Sequence, residues 1–99
     1  MNEKPNLDIS KYKGIVLSSE IVPSTKLIQY ICDNYKGMSF LYDGSNEVLD
    51  CGHDYADLKV YAVDKENIPV DKFKELEGIV MIEIFICTNC GKWKLDFLG

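Results

Sequence analysis

Ile79-Val80-Met81-Ile82-Glu83-Ile84-Phe85-Ile86 is the most hydrophobic run of the chain, and it leads directly into Cys87-Thr88-Asn89-Cys90-Gly91-Lys92. A run this short cannot span a bilayer, which takes about 20 residues in a helix, so it is expected to be the central strand of a sheet. Glu83 interrupts one face of that strand and is expected to reach a wet edge rather than to act as a buried carboxylate. Downstream, Lys92-Trp93-Lys94-Leu95-Asp96-Phe97 alternates charged and apolar residues. That pattern predicts an edge strand with Trp93, Leu95 and Phe97 inward and the charges facing water.

Upstream, Asn67 to Pro69 is a helix start, and Val70 to Glu77 is expected to form a short helix presenting Val70, Phe73 and Leu76 to the sheet before Gly78 ends it. Leu58 to Val63 alternates with period two and reads as a half-buried strand. Met38 to Tyr42 and Glu47 to Cys51 flank Asp43-Gly44-Ser45-Asn46, whose glycine and short polar side chains suit a hairpin turn. Earlier still, Ser24 is an N-cap for a helix through Tyr35, with Ile28, Ile31, Cys32 and Tyr35 on one stripe, Leu27 widening it and Gly37 as the stop. Gly14 to Ser18 is an apolar run that reads as a first strand. The expected fold is therefore α+β: a mixed or antiparallel sheet of about five to six strands, two helices, and a zinc site at one sheet end.

The 99 residues make one domain, 1–99, with the first ten the expected exception to its order. Its polar N-terminus, Met1 to Asn6, has neither the apolar segment of a secretory signal nor a spanning helix, and the chain reads as cytoplasmic. Net charge is −5, and every one of the 11 basic residues is a lysine. Without arginine there is no planar bidentate donor for phosphate or guanine, and an acidic chain is repelled by a polyanion, so the charge points to a protein partner and away from nucleic acid. Four cysteines in such a chain read as thiols or metal ligands rather than disulfides.

The chemistry lies in their spacing. In Cys87-Thr88-Asn89-Cys90-Gly91, a turn directs both thiolates to one side and the glycine takes the positive φ that reverses the chain. These residues resemble the knuckle of zinc ribbons and rubredoxin-type modules, a resemblance confined to about six positions that implies a tetrahedral zinc. Two more ligands are needed, and Cys51-Gly52-His53 is their evident source, with both donors on one side of an extended segment. Thirty-three residues separate the pairs, so Cys51, His53, Cys87 and Cys90 would clamp distant parts of the chain. Asp50 or Asp54 could orient the His53 imidazole, or both could be solvated turn residues. Cys32, on the apolar stripe of the first helix, reads as core, and a four-thiolate set with Cys32 in place of His53 is the alternative. Three thiolates and a neutral histidine leave −1 on the site, four thiolates −2. Iron in place of zinc also suits thiolates, although His53 favours zinc.

Enzymatic readings find less support. Redox catalysis would set Cys-x-x-Cys at a helix N-terminus, whereas here Gly91 and a strand pattern follow. Zinc deaminases join a ligand-x-Glu motif to Pro-Cys-x-x-Cys, but His53 stands where the proton-shuttling glutamate belongs and Ile86 where the proline does. Four side-chain donors also close the zinc shell to water, so no catalytic residue is assigned. Lys92, Trp93 and Lys94 are what a nucleic-acid-binding ribbon would use, against the overall charge. The expectation is a non-enzymatic, zinc-stapled binding protein, of the kind that serves bacteria or phages as an inhibitor, immunity factor or adaptor.

Overall fold

The computed structural model describes residues 6–14, 21–34, 37–43 and 58–99. Its centre is an antiparallel meander of four strands, β1 (Met38–Asp43), β2 (Leu58–Asp64), β3 (Met81–Cys87) and β4 (Trp93–Leu98), neighbours in space in that order. The hydrophobic run forms β3, flanked by β2 in a register from Leu58↔Cys87 to Asp64↔Met81 and by β4 from Met81↔Leu98 to Ile86↔Trp93. A bulge between Phe40 and Tyr42 interrupts the β1–β2 ladder.

One α-helix, α1 (Thr25–Asn34), lies on the sheet. Ser24 caps it: its Oγ accepts from the Leu27 amide at 3.2 Å, satisfying a donor that the first turn leaves open. The same serine donates through its backbone N–H and Oγ to the two carboxylate oxygens of Glu75, at 3.1 and 3.3 Å, so a distant negative charge sits at the helix N-terminus. Beyond the helix, Gly37 takes φ +76, and a Cβ there would stand 2.3 Å from the Asn67 side chain. Both handedness and space demand glycine at that position.

Leu27, Ile31 and Cys32 of α1 pack on Val63, Ile82, Ile84, Ile86, Trp93, Leu95 and Phe97, with Leu7, Met38, Ile68, Leu76 and Ile79 closing the cluster. Leu27, Ile84, Trp93 and Leu95 are wholly buried. Burial of each such side chain is worth about 1.5–3 kcal/mol before the entropy of ordering it. A smaller cluster of Leu58, Val60, Phe85 and Cys87 occupies the reverse face, as the alternation along β2 and β3 requires.

This architecture corrects the sequence reading. Among the described residues there are four strands and one α-helix, not five to six strands and two helices. The strand expected at Gly14 to Ser18 lies outside the described residues apart from Gly14, and the one expected at Glu47 to Cys51 lies wholly outside them. The second helix is replaced by turns and one 3₁₀ turn, Lys74–Leu76. Pro69 O does accept from the amides of Lys72 and Phe73, both at 3.1 Å, but Phe73 then adopts extended dihedrals, φ −133 and ψ 100. Its ring packs edge-on against Tyr30 of α1 at 5.6 Å. A segment this short is below the length at which helix nucleation is repaid, so tertiary contacts of Phe73, Glu75 and Leu76 dictate its path.

Nor do any three His, Cys, Asp or Glu side chains converge on a metal position among the described residues, so no zinc site is part of the architecture they form. A further correction concerns β4, whose charges do not face water: Lys94 is 0% and Asp96 3% exposed. Lys94 Nζ stands 5.4 Å from the Phe85 ring centroid, and its alkyl stem supplies the apolar contact that burial needs.

The N-terminal residues form a strap along β4. Asp8 caps a 3₁₀ turn, Ile9–Lys11, accepting at Oδ1 from the Ser10 amide (3.0 Å) and hydroxyl (2.8 Å), bonds that lower the pKa of its carboxyl. The Trp93 indole N–H donates to Asp8 O at 2.7 Å, and the Lys13 amide donates to Trp93 O at 2.8 Å. Tyr12 packs edge-on against the Trp93 ring at 5.0 Å.

Candidate metal knuckle

The turn between β3 and β4 is built by its backbone. Cys87 N donates to Lys92 O at 2.9 Å, and Gly91 N returns to Cys87 O at 2.8 Å. Gly91 takes φ +81, the left-handed conformation expected of the residue after the second cysteine. Cys87 is the last residue of β3, 2% exposed and part of the reverse-face cluster, and Cys90 is half-buried against that same cluster. Neither is in a disulfide. Both cysteines of the motif are thus brought to one end and one side of the sheet.

Cys32 stands elsewhere. Its thiol belongs to the core under α1, on the face of the sheet that carries Ile82, Ile84 and Ile86, while Cys87 belongs to the other. Burial first, then the nearby charges of Asp33 and Asp8, push the Cys32 thiol up to about 11, so it is protonated at neutral pH. Cys51, His53 and the flanking Asp50 and Asp54 lie outside the described residues. The described residue nearest to them in sequence on the C-terminal side is Leu58, the first of β2, and its ladder partner is Cys87.

Cys87 ends a strand and opens a turn, whereas a thioredoxin-type site sets its first cysteine at a helix N-terminus. Of the three residues a nucleic-acid ribbon would use, Trp93 and Lys94 are wholly buried, and only Lys92 keeps partial exposure. Sequence reasoning missed one neighbour of the knuckle: Lys11 Nζ donates to Cys90 O at 3.0 Å. The apolar residues Leu7, Ile9 and Tyr12 were the available sign that this segment docks.

A concavity of about 440 Å³ lies open beside α1 between Thr25, Lys26, Gln29, Tyr30, Asp33 and Phe73. Lys72 Nζ covers the Tyr30 ring beside it at 5.1 Å. No helix among the described residues is long and apolar enough to cross a membrane. Comparison with known protein families, with curated proteins and with solved structures found no match.

Proposed function

We propose that this chain is a small acidic intracellular binding protein whose fold is stapled by one zinc ion, held by Cys87 and Cys90 of the β3–β4 turn together with Cys51 and His53, and that it acts through contacts with another protein. The observation that carries this reading is the pairing of Leu58 with Cys87. His53 precedes Leu58 by five residues and Cys51 by seven, which limits their Cα separations from Leu58 to about 18 and 25 Å. A span of that length allows both donors to reach the knuckle. Cys32 is the weaker fourth ligand, because a sheet stands between it and Cys87 and its thiol resists ionisation.

A shell of four side chains has no open position for a substrate or an activated water, so the metal's part is structural. The work is then done by surface. Net charge of −5 suits a neutral or basic protein partner. Phe40 and Leu41 of β1, 46% and 41% exposed, are neighbouring apolar side chains suited to a contact. A nucleic-acid role loses support, since Trp93 has no surface on which a base could stack.

Elemental analysis of the purified protein, with thermal melting before and after a strong chelator, tests the staple. One zinc per chain is expected, along with a fall in Tm of more than about 10 °C on chelation. His53→Ala should lose the metal while Cys32→Ala keeps it. Metal-free protein with a melt indifferent to chelator would refute the reading.

A further inference from the structure

We draw no further inference here: the strongest candidate, the open groove beside α1 whose aromatic walls are Tyr30 and Phe73, carries nothing, because nothing in the structure shows what covers it.

Discussion

The face of the sheet beneath α1 sets Ile82, Ile84, Ile86, Trp93 and Leu95 against Leu27 and Ile31, whereas the reverse face sets Lys94 and Asp96 beside Leu58, Val60, Phe85 and Cys87. Both are buried, but by different means. The first is an apolar cluster closed by a helix, in which the one polar group of Trp93 is satisfied by the Asp8 carbonyl. The second mixes apolar groups with charge and carries both cysteines of the knuckle. One face is thus specified by volume and shape, and the other by how charges and sulfur are accommodated.

Three measurements would sharpen or break that contrast. The largest effect is expected on the helix-covered face, where Trp93→Ala removes a wholly buried ring, its bond to Asp8 and its contact with Tyr12. A loss of about 3–5 kcal/mol in denaturant-monitored stability should follow. A loss below about 1 kcal/mol would mean that the strap and β4 are not packed as described.

On the reverse face, Glu83 and Asp96 are direct ladder partners, and Lys94 is the cation two residues from Asp96 on the same side of β4. Like charges facing each other across strands are destabilising, and a buried cation on the same face of the sheet reduces that repulsion. Lys94→Met, which keeps the alkyl stem and drops the charge, should therefore cost about 3 kcal/mol. An unchanged or higher unfolding midpoint would show that this face is held by apolar contact like the other.

The smallest effect concerns pH. The Cys32 thiol is raised from 9.0 to about 11 and the Tyr12 hydroxyl, buried with no hydrogen-bond partner among the described residues, from 10.0 to about 12, in both cases by burial. The fold favours the neutral form of each, while the unfolded chain ionises first. Their contribution is fully present below about pH 9 and is lost as pH rises through about 9 to 12. Denaturant midpoints measured from neutral pH upward should fall, and Cys32→Ala should delay the start of that fall by about one pH unit, to where tyrosine begins to ionise. An alkaline limb with the same onset in Cys32→Ala would contradict the buried, protonated thiol.

What the sequence made legible follows the same division. Ser24 as a cap could be read from its residue type, α1 from the stripe of Ile28, Ile31 and Cys32 widened by Leu27, β2 from its alternation, and β3 from a continuous apolar run that supplies both faces of the sheet. The alternation of Trp93, Leu95 and Phe97 was equally clear, yet the inference that Lys94 and Asp96 face water failed. A period of two says which residues share a side, not whether that side is covered. The helix expected over Val70 to Glu77 failed for another reason: its turn residues and apolar spacing were present, but contacts of Phe73 with Tyr30 and of Glu75 with Ser24 connect segments more than 40 residues apart, and local pattern carries no record of them. At the knuckle, the positive φ of Gly91 and the placement of both cysteines at a strand end were readable from five residues. The approach of Lys11 was not, since it depends on where Trp93 anchors the strap.

The carboxylate of Glu75 on Ser24 has a consequence for the order in which the molecule assembles. The two residues are separated by 51 positions, so the carboxylate reaches the first turn of α1 only once that length of chain has closed. A ten-residue helix has little stability by itself in water. Loop closure therefore precedes full helicity, and α1 should gain its protection from amide exchange together with the sheet, as one cooperative unit, rather than as an early local nucleus.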